Sequence, residues 1–334
     1  MIKYTIEQLL LITNPCILFD KDKIKEEYRY LSFNFHPDKN SDTRATNTFA
    51  HITMLYNQAL DFLKNNTWEV PGILDFVDIN NKQYRIRYKK KQTFELGTRY
   101  VSDTIVAFFV DKKYDKLVKN FYTSVSNIKY SSDNMKKEFS RYMPSLVPLI
   151  ETKDNYVIII NKSPDLILLS DVLEYYKTNS FPVDWDKHVA WIHSRLLNIL
   201  CFLKFNGIVH HGISTDTIWI SPEHHSISVL GGWFYTTKEN DKMISIPKKL
   251  FSFVPPSILN KKISNSITDG ELVKALSREI SIKLPKPFEN WLKFSASKNP
   301  MEEYKLWQDK ILKESYGERK FINLTLSAND VYSI

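Results

Sequence analysis

The sequence predicts two domains, an all-α helical hairpin followed by an α+β domain of two lobes. Three observations carry this expectation. Apolar residues recur at helical spacing through the first 64 positions, and a break follows at Trp68-Glu-Val-Pro71-Gly72. Beyond the break, strand-like segments give way to helical ones. The 334 residues suit about two domains of about 150 residues each. A hydrophobic content of 43% supplies real cores and excludes a fully disordered chain. With only 8 glycines, a glycine repeat is excluded and a dense glycine loop is disfavoured.

Cys16 and Cys201 lie in separate regions, so they make neither a disulfide framework nor a cysteine metal cluster. A reducing compartment fits this usage. No secretory leader is read at the start, and apolar runs such as Tyr156–Ile160 are too short to span a bilayer. The expectation is a soluble, cytoplasmic protein. The net charge of +8 allows acidic partners without demanding them. Residues 1–64 are balanced, with eight basic and eight acidic side chains. The run from Lys82 to Lys91 carries six positive charges and no acid. Its alternation reads as an exposed strand with a solvated face, and nucleic-acid contact is the lesser reading.

The first element is a short helix around Ile6–Ile12. Next, Ile24, Tyr28, Leu31 and Phe35 follow at spacings of 4, 3 and 4, one face of a second helix. Ala45, Phe49, Ile52, Tyr56, Ala59 and Leu63 make a third, cleaner stripe. The two longer helices form an antiparallel hairpin. Between them lies His36-Pro37-Asp38-Lys39-Asn40, where Pro37 disfavours helical geometry at His36 and ends the helix. Lys21, Lys25 and Arg29, four apart, are read as a basic line on the outer face.

Residues 1–66 resemble a J domain, the module of DnaJ-type co-chaperones. The resemblance rests on His36-Pro37-Asp38, on Tyr28-Arg-Tyr-Leu before it, and on Phe49 and Tyr56-Asn-Gln-Ala59 after it. It implies docking on a DnaK-type chaperone ATPase and stimulation of its hydrolysis. His36, Pro37 and Asp38 would make the stimulating contacts. Lys21, Lys25 and Arg29 would meet an acidic surface of the ATPase, and such contacts steer association and weaken with salt.

After a linker at residues 67–72, strands are expected at Ile73–Ile79, Gln83–Tyr88, Thr93–Leu96, Thr104–Val110 and Leu117–Phe121. A helical stretch near Asn134–Met143 follows, then paired strands around Leu149–Glu151 and Tyr156–Ile160. Trp185–Phe205 is an amphipathic helix, stopped by Gly207. Residues 73–165 form the strand-rich lobe and 166–334 the helix-rich one.

This order resembles the protein-kinase fold. The strongest match is Gly207-Ile-Val-His210-His211-Gly212-Ile213-Ser214-Thr215-Asp216-Thr217-Ile218-Trp219-Ile220, similar to the kinase catalytic loop. Leu117-Val118-Lys119 is similar to the strand bearing the ATP-binding lysine, with Glu138 as its helix partner. Thr268-Asp269 resembles the start of the central helix, whose Asp anchors the catalytic-loop backbone. The departures fall on the chemistry. Gly212 stands where the catalytic Asp would be, and Thr217 where a metal-binding Asn would be. Gly231 and Gly232 occupy the stretch of the metal-binding Asp. Phosphoryl transfer depends on positioning and on metal-assisted charge stabilisation, so these losses imply a dead site. The pair Lys119 and Glu138 is the remnant that would hold a nucleotide.

Four histidines, His210, His211, His224 and His225, form two adjacent pairs rather than a converging zinc set, and no metal is expected. The expected function is that of a co-chaperone or adaptor. The J domain recruits the DnaK-type ATPase, and the kinase-like pseudokinase domain binds a client or partner protein, an acidic one suiting the charge. No cofactor is required, with ATP as the only one considered, and neither nucleic acid nor membrane is an expected partner. The alternative is a divergent ATP-dependent kinase or a nucleotide-binding regulator.

Overall fold

The computed structural model describes residues 4–65, 67–318 and 320–332. The chain divides into two compact units, Met1–Tyr88 and Lys89–Ile334.

The first unit opens with α1 (Ile6–Leu11), capped by Thr5 and Gln8 in a reciprocal capping box. A short α2 (Pro15–Leu18) follows, capped by Asn14. The hairpin is α3 (Ile24–Asn34) and α4 (Ala45–Lys64). Its core gathers Leu9, Leu18, Phe19, Ile24, Leu31, Ile52, Leu55 and Ala59. Each large aliphatic side chain buried there contributes about 1.5–3 kcal/mol. Tyr28 stacks on Tyr56 at 3.9 Å, which ties the two helices along their length. Leu63, expected on the buried stripe, is exposed, and Leu55 is buried instead.

The strands β1 (Ile73–Val77) and β2 (Gln83–Arg87) pair with each other alone and fall in the first compact unit. The division therefore lies between Tyr88 and Lys89, later than the linker read at 67–72. The basic run splits at the same point. Arg85 is held bidentate by Asp75, Lys89 pairs with Asp103, and Lys90 pairs with Asp171 and Glu174.

The second unit begins with an antiparallel sheet in the order β3-β4-β5-β8-β6, with β7 on β8. The strands are β3 (Lys90–Phe94), β4 (Gly97–Val101), β5 (Ile105–Asp111), β6 (Ser145–Leu146), β7 (Ile150–Glu151) and β8 (Asn155–Asn161). Between β5 and β6 lie α5 (Asp115–Ser126) and α6 (Asp133–Phe139). The expectation of a strand at Leu117–Phe121 is thus corrected, because those residues are inside α5. Leu117, Val118, Phe121, Tyr122 and Val125 follow a helical period, and Val118 and Phe121 face the core. β4 lies outside the expected set of strands.

The chain then forms β9 (Ile167–Leu168), α7 (Leu169–Asn179) and α8 (Trp185–Phe205). Next come β10 (Ile208–Val209), the hairpin β11 (Ile218–Ser221) with β12 (Ser226–Val229), and β13 (Thr237–Lys238). The helices α9 (Pro256–Lys261), α10 (Ile267–Ile280), α11 (Lys286–Trp291) and α12 (Pro300–Leu306) follow, and α12 continues through a π-helical turn into α13 (Leu312–Tyr316). α8 is the spine: its buried side chains run from Trp185 to Leu203. The last described helix is α14 (Ala328–Tyr332). Its Tyr332 is buried, donating to Asp171 at 2.8 Å and accepting from the Leu168 N–H at 3.0 Å.

Candidate functional site

Two places gather the residues singled out by the sequence. The first is the tip of the α3–α4 hairpin. α3 ends at Asn34, and the His36 carbonyl accepts from the Lys39 and Asn40 N–H groups, both at 2.9 Å. His36 Nδ1 accepts the Asp38 N–H at 3.2 Å, which leaves the proton of the neutral ring on Nε2. The ring meets Phe49 of α4 edge-on at 5.1 Å. Lys39 lies over the exposed Phe33 ring at 3.5 Å. The Pro37 and Asp38 side chains are exposed. The tip is therefore fixed by backbone turns and one aromatic contact, while its polar groups face water.

Lys25 and Arg29 are exposed on α3, whereas Lys21 lies in the turn before it. All three border one shallow depression with Leu60 and Leu63 of α4. Among the described residues none of the three forms an ion pair with an acid.

The second place is a cleft of about 1100 Å³ in the second unit, lined by Phe94, Arg99, Phe108, Asp216, Thr217, Gly231, Gly232 and Phe234 among others. Its floor is the loop from His210 to Thr217. Asp269, at the start of α10, accepts the His210 N–H at 2.6 Å and the His211 N–H at 2.8 Å. Burial pushes the Asp269 carboxyl up to about 7, outweighing the two N–H donors that lower it. His210 and His211 are wholly buried, and desolvation pulls them down to about 3 and about 4. The Thr217 hydroxyl is used inside the loop, donating toward the Gly212 carbonyl at 2.7 Å and accepting from Ser214 N–H at 2.9 Å.

The glycines close the floor. A Cβ on Gly212 would lie 2.9 Å from Gly232 Cα, and one on Gly232 would lie 2.6 Å from His210 Cε1. One on Gly231 would lie 3.2 Å from Thr217 Cα. Gly232 also has φ +83°, which side chains rarely adopt. Asp216 pairs with Lys249.

The remnant pair of the sequence reading is not formed. Lys119 sits on α5, 73% exposed, and pairs with Asp115 of its own helix at 2.8 Å. Glu138 pairs with Arg141 at 2.7 Å. Both side chains are satisfied by sequence neighbours, because the lysine lies on a helix rather than on a sheet strand facing the cleft. The histidine pairs do not converge either. His224 lies instead with Asp165 and Glu223, ligand atoms within 4.8 Å, in a partly exposed group. The sequence reading passed over Arg99, which is buried in the cleft wall. Its neighbours Thr98 and Tyr100 in β4 give no sequence signal that would single it out.

A helical hairpin with His36-Pro37-Asp38 at its tip defines a J domain. The second unit joins an antiparallel sheet to a mostly helical second half, with a loop anchored by Asp269. Residues 11–66 match the family model described as DnaJ domain. A J domain implies a co-chaperone role with a DnaK-type chaperone as partner. A solved structure described as that of vaccinia related kinase 3 is similar over 72% of this chain and 77% of that one, at 19% identity and a TM-score of 0.46. No curated protein matches the sequence. Among the described residues no helix is long and apolar enough to cross a membrane.

Proposed function

We propose that this protein is a specialised cytoplasmic co-chaperone. Its J domain stimulates a DnaK-type ATPase through His36, Pro37 and Asp38, with Lys21, Lys25 and Arg29 steering the encounter. Its kinase-like unit is catalytically dead and binds a client or partner protein, with an acidic one favoured by the net charge of +8. The observation that carries the first part is the hairpin tip, held rigid by its backbone turns and Phe49 while Asp38 stays 84% exposed. The dead-site reading is supported by glycines where the catalytic and metal-binding carboxylates would stand, with no room for a Cβ at Gly212 or Gly232.

The test is the single-turnover ATPase rate of a DnaK-type chaperone from the same host. The wild type accelerates hydrolysis and His36→Gln does not. Equal rates with and without the wild type would overturn the co-chaperone reading. Magnesium-dependent phosphotransfer that Asp216→Ala abolishes would overturn the dead-site reading.

A further inference from the structure

The cleft contains a cation that the protein neutralises only in part. Arg99, on β4, lines the cleft and is 4% exposed. Nη1 donates to the Asp216 carbonyl at 2.7 Å and Nη2 to Gln92 Oε1 at 2.5 Å. Nε has no partner. A guanidinium carries five N–H donors, so three remain uncommitted. Among the described residues Arg99 forms no ion pair. Asp171 is taken by Lys90 at 2.9 Å, Gln92 at 2.6 Å and Tyr332 at 2.8 Å. The Asp216 carboxylate is taken by Lys249. Burial disfavours the charged guanidinium, and Asp171 and Asp216 offset this only in part. A buried charge left in this state calls for an anion.

The surroundings supply the rest of a site. The cleft is lined by the cations Lys91, Arg99, Lys248 and Lys249 against two carboxylates, Glu95 and Asp216. Both carboxylates are already engaged, Glu95 by the Tyr235 hydroxyl at 3.1 Å and Asp216 by Lys249. Lys248 is exposed and forms no ion pair among the described residues. Beside these charges stands an apolar wall. Phe94 lies 5.5 Å from Phe108 and 6.1 Å from Phe234, and Phe108 lies 6.2 Å from Phe234. A concave space with an aromatic wall and a few convergent polar groups is the pattern of a small-molecule site.

We propose that this cleft binds a small organic anion directly, without a divalent metal. Arg99 and Lys248 hold its carboxylate or phosphate, and Phe94, Phe108 and Phe234 hold an apolar or aromatic body. The proposal rests on the reading that the floor glycines leave no carboxylates for a metal.

The probe is 8-anilinonaphthalene-1-sulfonate, an aromatic anion, titrated into the full chain in excess EDTA. A saturable fluorescence rise is expected, displaced by phenyl phosphate or by benzoate, and the better competitor identifies the head group. Arg99→Met weakens dye binding by about tenfold or more. Lys248→Glu, at an exposed position, weakens it by about threefold. If far-UV circular dichroism shows Arg99→Met unfolded, Lys248→Glu decides alone. No saturable binding, displacement by neither competitor, or unchanged affinity in the deciding variant overturns the proposal and leaves the dead-site reading intact. Binding that appears only with magnesium overturns both.

Discussion

Gly212 and Gly232 meet backbone to backbone across the cleft floor, so close that a Cβ on Gly212 would lie 2.9 Å from the Gly232 carbonyl oxygen. On the proposed dead-site reading these two positions stand where a kinase-like site would carry carboxylates, and their backbones leave no room for a side chain. Reintroducing the carboxylates therefore fails. Gly212→Asp and Gly232→Asp each lower the stability of the second unit by about 1–3 kcal/mol through overpacking. Gly232→Asp is the worse, because its φ of +83° adds strain. Urea midpoints measure the loss, and radiolabelled phosphate transfer stays at background. A stable variant that transfers phosphate would sink this account.

Asp269 holds the floor from below. Removing its carboxylate in Asp269→Ala leaves two buried N–H groups, those of His210 and His211, without acceptors. At about 1–3 kcal/mol for each, the loss is about 2–6 kcal/mol. A chemical denaturation curve within about 1 kcal/mol of the wild type, below the low end of that range, would show that the loop has another support.

Acid should unfold the second unit. His210 and His211 are pulled down from 6.5 to about 3 and about 4 by burial. The unfolded chain therefore binds two protons that the folded one refuses between those values and 6.5. Their contribution is complete above pH 6.5 and is lost as pH falls toward 4, offset in part by Asp269, whose raised carboxyl takes up one proton in the folded state below about 7. Six of the seven tryptophans lie in the second unit, from Trp185 onward, so tryptophan fluorescence in urea reports it. A midpoint independent of pH between 7 and 4.5 would contradict the buried neutral state.

Lys119 and Glu138 should be silent. Each pairs with a neighbour on the surface, so Lys119→Ala and Glu138→Ala leave dye binding in the cleft and the urea midpoint unchanged. A loss of ligand binding in either would restore them to the site.

The basic face of α3 should act through charge. Lys25→Glu with Arg29→Glu slows stimulation of the chaperone ATPase at low salt, and the gap from wild type narrows as ionic strength rises to about 1 M, where screening acts within about 3 Å. A deficit that is the same at every salt concentration would mean that these residues make packed contacts instead.

The helical hairpin and its tip were legible because both rest on local rules. The stripes at Ile24–Phe35 and Ala45–Ala59 have helical period, and Pro37 stops a helix through its own ring. The anchoring of His210 and His211 by Asp269 was legible only through a family resemblance, since the residues are 58 and 59 positions apart in sequence. The strand expected at Leu117–Phe121 failed because a short apolar run was read by residue type, when its spacing over Leu117–Val125 is helical. Lys119 then lost its place in the cleft along with the strand.

What the sequence by itself determined is the set of groups present: a His-Pro-Asp turn between amphipathic helices, glycine at positions 212, 231 and 232, and threonine at 217. Those follow from residue identity and short-range geometry. Only the tertiary structure decided which charges meet. It paired Lys119 with Asp115, gave Asp171 to Lys90 and Tyr332, and left Arg99 buried with an unpartnered Nε. Electrostatic partnership depends on distance and burial, and in this chain those are set by strands and helices brought together across long stretches, 161 residues between Asp171 and Tyr332.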